Sequence, residues 1–216
     1  MDAPRAPIVY QAGRKPPTGI AEKIDPASLA FDVDGVIADT MGLFLEIART
    51  SYHVKGVRYE DITCYSLEEC LTTIDATVID AIVGKIVSGA YDIPLKAIKG
   101  AKGTLSRIAA AHRPILLVTA RPHPGPVPDW LSHVLSLGSG AVDLVATGTS
   151  RAKAGVLKQH RIRFFVDDRL DTCHSLYLEG IVPILFKQPW NREPHPFMEV
   201  ETWADLESLI DLPQRS

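Results

Sequence analysis

Apolar residues alternate along the chain between two patterns. Short, mostly apolar runs occupy residues 29–31, 115–119, 142–147, 162–166 and 182–186. Runs of this length, rich in Val, Ile, Leu and Phe, predict strands buried on both faces, as in parallel sheets. Between them apolar residues return every three or four positions, the period of a helix with one buried side. Such stretches carry Leu43, Phe44, Ile47 and Ala48; Leu105, Ile108 and Ala109; Trp130, Val134 and Leu135; Cys173, Leu176 and Leu178; and a last helix over 203–210. The alternation from residue 28 onward predicts an α/β fold: a doubly wound, Rossmann-like, mostly parallel five-stranded sheet with right-handed crossovers.

The first crossover is longer than the others. Leu67, Cys70 and Leu71 mark one short helix in it. Ile74, Val78, Ile79, Ile82, Val83, Ile86 and Val87 mark a longer one, ended by Asp92-Ile-Pro94. Thr40 is placed as the cap of the helix that opens this excursion, and 53–57 as a loop. One packing helix requires far fewer residues. Residues 41–96 are therefore expected to form an all-helical cap over the strand ends, with 27–40 and 97–216 as the core. Pro4, Pro7, Pro16, Pro17 and Pro26 keep residues 1–26 out of regular structure, so this part reads as an N-terminal extension. Within it Ile8-Val9-Tyr10 is suited at most to an edge segment.

Composition narrows the function. The 216 residues are 46% apolar, enough for a large core, with a net charge of -3 and a pI near 6.2. No basic surplus or run of like charge points to a nucleic acid polymer. The apolar runs are strand-sized, too short to span a membrane, and the Pro-rich start does not fit a secretory signal. Cys64, Cys70 and Cys173 make an odd count with no C-x-x-C pair. That count argues against a disulfide framework or a zinc site and fits thiols in a reducing cytoplasm.

Polar groups stand where three of the strands end. Asp32 and Asp34 follow the first strand, with Gly35 in the turn. Thr119 closes the second, followed by Ala120 and Arg121. Asp167 and Asp168 follow the fourth, and Lys153 opens the helix before it, capped by Thr149 or Ser150. Parallel strands present their carboxyl ends on one edge, so these groups should converge. Carboxylates crowded behind apolar strands are costly unless a cation or substrate sits there. Lys153 is preferred to Lys158 because the first helical turn lies nearer the strand ends. Arg121 has two readings, a substrate contact and a surface ion pair. His123, His133, His160 and His174 are scattered and read as surface residues. Tyr59, Tyr65 and Tyr91 have two readings, packing within the insert and stacking on a base, with packing preferred; Trp190-Asn-Arg192 reads as a packed loop, with a place at the border of the site as the alternative.

The constellation resembles the haloacid dehalogenase-like hydrolase superfamily. Asp32-Val-Asp34-Gly-Val matches its first motif, Thr119 behind Leu-Leu-Val its second, Lys153 its third and Val166-Asp-Asp168 its fourth. The aspartate two residues after the first marks its phosphatase branches. Thr119-Ala-Arg-Pro, Val166-Asp-Asp-Arg-Leu-Asp171 and Pro189-Trp-Asn-Arg192 are similar to the deoxyribonucleotidase-like branch. The resemblance implies Mg²⁺-dependent hydrolysis of a small phosphomonoester, a nucleotide among the candidates, through a phospho-aspartate. It implies Asp32 as nucleophile, Asp34 as acid and base, and Thr119 and Lys153 as the rest of the catalytic set. Val33, Gly35, Thr119, Ala120, Arg121 and Lys153 would hold the phosphate. Asp32, Asp34 through its backbone carbonyl, Asp167 and Asp168 would hold Mg²⁺. The expected partner is a small phosphorylated metabolite, met in the cytoplasm by a monomer or homodimer. Two rivals share the motifs. One is a phosphomutase, whose branch is similar over Asp34-Gly-Val-Ile-Ala-Asp39-Thr40. The other is a binding protein that keeps the fold without turnover.

Overall fold

The computed structural model describes residues 22–213. Strands β1 (Leu29–Phe31), β2 (Ile115–Thr119), β3 (Val142–Ala146), β4 (Phe164–Asp167), β5 (Val182–Phe186) and β6 (Met198–Val200) form one sheet in the order β3-β2-β1-β4-β5-β6. Every neighbouring pair runs parallel. The sequence reading expected five strands. The sixth is three residues long and sits at the sheet edge, where one ladder through Ile184↔Met198 suffices. Too short to show a buried run, it left no apolar signature.

Helices α1 (Thr40–Ser51), α2 (Leu67–Cys70) and α3 (Ala76–Ser88) fall between β1 and β2. The remaining helices, α4 (Ala101–Ala111), α5 (Val127–Leu135), α6 (Lys153–Gln159), α7 (Leu170–Leu178) and α8 (Trp203–Leu209), follow in chain order. Asp39, not Thr40, caps α1: its carboxylate accepts from the Gly42 N–H at 2.9 Å, and Thr40 is already the first helical residue. A carboxylate at that position satisfies an N–H left free by the first helical turn and suits the positive helix end.

β1 lies in the middle of the sheet and is buried along its whole length. Ala30 pairs with Leu116 on one side and Phe165 on the other. Phe31 stacks on Trp203 with ring centroids 5.5 Å apart, and the fully buried Trp203 donates its indole N–H to Val36 O at 2.9 Å. Each such buried side chain contributes about 1.5–3 kcal/mol. Together they fix the turn after β1 against α8.

The excursion between β1 and β2 leaves and rejoins the sheet at one place. Ala38 and Ala97 form an antiparallel bridge, the Asp39 N–H donates to Lys96 O at 2.9 Å, and the Ile98 N–H donates to Ile37 O at 2.8 Å. Within the excursion α3 packs against both α1 and α2.

Cys64 and Cys70 are joined by a disulfide, with Cα atoms 5.9 Å apart. This overturns the expectation of three free thiols. The loop and the single turn of α2 between the two residues fold back enough to bring them within bridging reach. Cys173 is a buried free thiol. At the start of the described chain, Ile24 is buried and donates to Leu209 O at 2.8 Å, while its own carbonyl accepts from the Asp211 N–H at 2.8 Å. Ordered packing thus begins ahead of residue 27. Ile8-Val9-Tyr10 lies outside the described residues. Among those described, no helix is long and apolar enough to cross a membrane.

Candidate active site

In an open parallel sheet the crevice lies at the carboxyl ends of the strands where the chain order reverses. Here that point falls at β1, since β2 and β3 continue to one side and β4 to β6 to the other. Asp32 leaves β1, and its main-chain N–H donates to Val166 O at 2.8 Å, which ties it to the end of β4. Asp167 ends β4, and Asp168 follows.

Lys153 is fully buried between these elements. Its Nζ lies 2.8 Å from Asp167 Oδ2 and 3.0 Å from Asp32 Oδ2. The ammonium also sits 5.2 Å from the Phe165 ring centroid. Lys158, the competing lysine, is exposed and pairs with Glu179. The remaining Asp32 oxygen accepts from the Val33 N–H at 2.8 Å, and the remaining Asp167 oxygen from the Arg169 N–H at 2.8 Å.

Asp168 is held from the loop after β5. The Trp190 indole N–H donates to its Oδ2 at 2.8 Å, and the Asn191 amide donates to its main-chain carbonyl at 2.7 Å. The Oδ1 atom is buried and has no hydrogen-bond partner among the described residues. A ligand oxygen from each of Asp32, Asp167 and Asp168 lies within 4.8 Å of the others. Three carboxylates share one ammonium, an excess of two negative charges when all are ionised. A hard divalent cation takes carboxylate oxygens and balances that excess. The orphaned oxygen and the donor set therefore fit such an ion.

The electrostatics agree. Burial pushes the Asp32 carboxyl up to about 7, with repulsion from Asp167 and Asp34 added and Lys153 opposing. Asp168 is raised well above the usual carboxylate range by burial and then by Asp167 and Asp32. Burial works against the charge on Lys153, but Asp167 and Asp32 outweigh it and hold the amine protonated. Desolvated carboxylates crowded together favour a bound positive charge.

Several expected roles look different in three dimensions. Gly35 was expected among the residues that hold the phosphate, but its N–H donates to Ala38 O at 2.9 Å. The glycine instead provides room: its φ is +74°, and a Cβ there would lie 2.2 Å from Asp168 Oδ2. The Asp34 carboxylate stands outside the acidic cluster and binds Arg121, with Nε to Oδ2 at 2.9 Å and Nη2 to Oδ1 at 2.7 Å. Arg121 is buried and pairs with a site carboxylate, so it is not a surface ion pair, and it lines the same cavity as Asp32 and Thr119. The Thr119 hydroxyl accepts from the Arg121 N–H at 3.3 Å, which leaves its own proton to donate.

Gln188 escaped the sequence reading, and Asn191 was placed in a loop and a motif without a role of its own. Gln188 donates to Gly35 O at 2.7 Å and accepts from the Tyr59 hydroxyl at 3.2 Å, joining the turn after β1 to the excursion. Asn191 braces Asp168 and also donates to Phe186 O at 2.9 Å. The hints were the polar cluster in Lys-Gln-Pro-Trp-Asn and the resemblance over Pro189-Trp-Asn-Arg192, neither of which names a partner. None of His123, His133, His160 and His174 lines the cavity.

That cavity, about 430 Å³, opens between the strand ends and the excursion. Asp32, Asp34, Thr119, Ala120 and Arg121 form its polar end, and Met41, Phe44, Leu67, Ile79, Val83 and Ile86 its apolar wall. Tyr65 stands at the rim with its ring over the Arg169 guanidinium, 3.8 Å from centroid to carbon. Tyr65 and Val83 are two of the large apolar side chains left exposed among the described residues, and both face this space.

Comparison with known proteins agrees with this arrangement. The family model described as 5' nucleotidase, deoxy (Pyrimidine), cytosolic type C matches residues 26–215. No curated protein matches the chain by sequence. Among solved structures, a haloacid dehalogenase superfamily hydrolase of subfamily IA from Geobacter sulfurreducens is similar at 17% identity. It covers 90% of this chain and 99% of its own, with a TM-score of 0.55. A haloacid dehalogenase-like hydrolase from Streptococcus pneumoniae is similar at 13% identity, over 83% and 96% of the two chains, with a TM-score of 0.56. A superfamily hydrolase from Ehrlichia chaffeensis gives 13% identity, 88% and 97% coverage and 0.53. At such identities these structures share the fold alone. The family match spans nearly the whole chain and takes in every motif at the strand ends, and on it the protein belongs to the 5' nucleotidase, deoxy (Pyrimidine), cytosolic type C family of haloacid dehalogenase-like phosphoric monoester hydrolases.

Proposed function

We propose that this protein hydrolyses a nucleoside monophosphate through a phospho-aspartate formed on Asp32, with Mg²⁺ held by Asp32, Asp167 and Asp168. The observation that carries the reading is the buried Asp32–Lys153–Asp167 triad beside the orphaned Asp168 oxygen. When bound, the metal would offset the repulsion between a phosphate dianion and the carboxylates. An Asp32 oxygen attacks phosphorus as the bond to the alcohol oxygen breaks. Asp34 gives a proton to that leaving oxygen, then takes one from the water that splits the acyl phosphate. The products are the alcohol and inorganic phosphate, with Asp32 restored. Lys153 and the Thr119 hydroxyl stabilise the charge gathered on the phosphoryl oxygens. Val33 and Ala120 shape the phosphate end of the cavity.

The family name and the cavity support a nucleoside as the leaving group. A phosphate-binding end backed by an apolar wall and an exposed tyrosine suits a flat ring carried a few ångströms from the phosphate. Helices α1 to α3 supply that wall and act as the cap. The test is release of inorganic phosphate from p-nitrophenyl phosphate and from a panel of nucleotides, sugar phosphates and phosphoglycolate, with and without Mg²⁺. Turnover that is metal-dependent, strongest on a nucleoside monophosphate and absent in Asp32→Asn supports the proposal. An isomerised phosphate ester in place of inorganic phosphate would show a mutase. Inactivity across the panel would show a binding protein.

A further inference from the structure

We propose that Arg121 is a positioning residue for Asp34, holding the acid/base carboxylate from the last turn of α3; the inference rests on the acid/base reading of Asp34 given above. Arg121 presents two N–H groups to the two Asp34 oxygens, at 2.9 Å and 2.7 Å. This paired geometry fixes the plane of the carboxylate as well as its place. Each carboxylate oxygen keeps a second lone pair besides the one that the fork occupies.

The arginine is itself anchored. Its side chain is 6% exposed, against 26% for that of Asp34. Its third contact, Nη1 to Ile86 O at 3.4 Å, reaches one of the carbonyls that the end of α3 leaves without an intrahelical partner. The main chain is tied on both sides, by the Arg121 N–H to the Thr119 hydroxyl and by the Gly148 N–H to Arg121 O at 2.9 Å. The loop beyond it lies close on α3: a Cβ on Gly125 would sit 3.0 Å from Val87 O, and one on Gly89 2.9 Å from Pro126. Arg121 is thus a fixed point between the second strand end and the cap, with its fork committed to Asp34. A phosphate-binding arginine would keep that fork open.

Leaving-group dependence separates the two roles. A nitrophenolate departs without a proton, whereas a phenolate needs one, so loss of a correctly placed acid falls on the poorer leaving group. kcat/KM for p-nitrophenyl phosphate and for phenyl phosphate is compared in wild type, Arg121→Gln, Arg121→Lys and Asp34→Asn, alongside inhibition by inorganic phosphate. For Arg121→Gln we expect a loss at least tenfold larger on phenyl phosphate, phosphate inhibition within threefold of wild type, and partial recovery in Arg121→Lys. If Arg121→Gln fails to fold, Arg121→Lys alone must show the same selective loss, smaller in size. Equal losses on both esters with tenfold weaker phosphate inhibition would assign Arg121 to the phosphate and overturn the proposal. If Asp34→Asn discriminates between the esters and the Arg121 variants do not, the proposal alone falls. If Asp34→Asn does not discriminate, the acid/base reading of Asp34 falls first.

Discussion

The Trp190 indole N–H donates to Asp168 at 2.8 Å, while the other oxygen of the same carboxylate is buried with no hydrogen-bond partner among the described residues. One oxygen is thereby fixed so that the other points at a single place. Outer partners of this kind commonly change metal affinity 10–100-fold when removed. Trp190→Phe keeps the ring packing and deletes the donor. It should weaken Mg²⁺ binding by a factor in that range and leave kcat at saturating metal nearly unchanged. Activity titrated against Mg²⁺ reads this directly; an unchanged midpoint would remove Trp190 from the metal site.

Lys153 and Lys158 stand on the same short helix and should respond oppositely. Lys153→Met leaves two buried carboxylates facing each other without their cation. Breaking such a pair costs about 3–5 kcal/mol, and losing the charge at the phosphoryl group should lower kcat by about 10²–10³. Lys158→Met removes an exposed pair and should move neither quantity measurably. Urea unfolding and steady-state kinetics on both variants make the comparison.

Gly35→Ala should be damaging despite its small size. Its backbone sits at φ +74°, a region that costs a non-glycine residue about 1–3 kcal/mol. The added carbon would also overlap the Asp168 carboxylate, 2.2 Å from Oδ2 and 2.6 Å from Cγ. The expected outcome is lower stability together with weakened Mg²⁺ binding. Retention of wild-type metal affinity would mean that Asp168 has no part in it.

Metal and pH should be linked. Without metal, burial lifts the Asp32 carboxyl to about 7 and moves Asp168 in the same direction. The folded protein then holds protons that the unfolded chain releases near pH 4. Stability of the metal-free protein should therefore be greatest below about pH 4 as far as these groups are concerned, and fall as pH rises to about 7. Mg²⁺ held there as proposed would replace those protons, so its stabilising effect should be larger at pH 8 than at pH 5. At a metal concentration a hundredfold above Kd the gain is about 2.7 kcal/mol. Thermal melts with Mg²⁺ and with a chelator at the two pH values test this, and equal gains at both would contradict it.

The central strands and the four strand-end motifs were legible because each announces itself locally. Apolar runs of four or five residues can only be buried strands here, and a lysine in the first turn of α6 has little choice about which way it faces. What escaped the sequence depends on partners far along the chain. Arg121 and Asp34 are 87 positions apart, and Gln188 and Gly35 are 153 apart. Nothing near either partner names the other. The cysteine count misled because it was read from spacing rules, whereas the geometry of a loop and one helical turn made the Cys64–Cys70 bridge possible. Gly35 was placed at the phosphate on the motif's resemblance alone; the tight return at Ala38 claims its N–H.

The bridge between Ala38 and Ala97 gives the excursion a single doorway onto the sheet. A segment that departs and returns through one doorway can grow, shrink or be exchanged over generations without shifting the register of any strand. Descent can therefore retool which alcohol is welcomed while the machinery for cutting phosphorus from oxygen stays as it was.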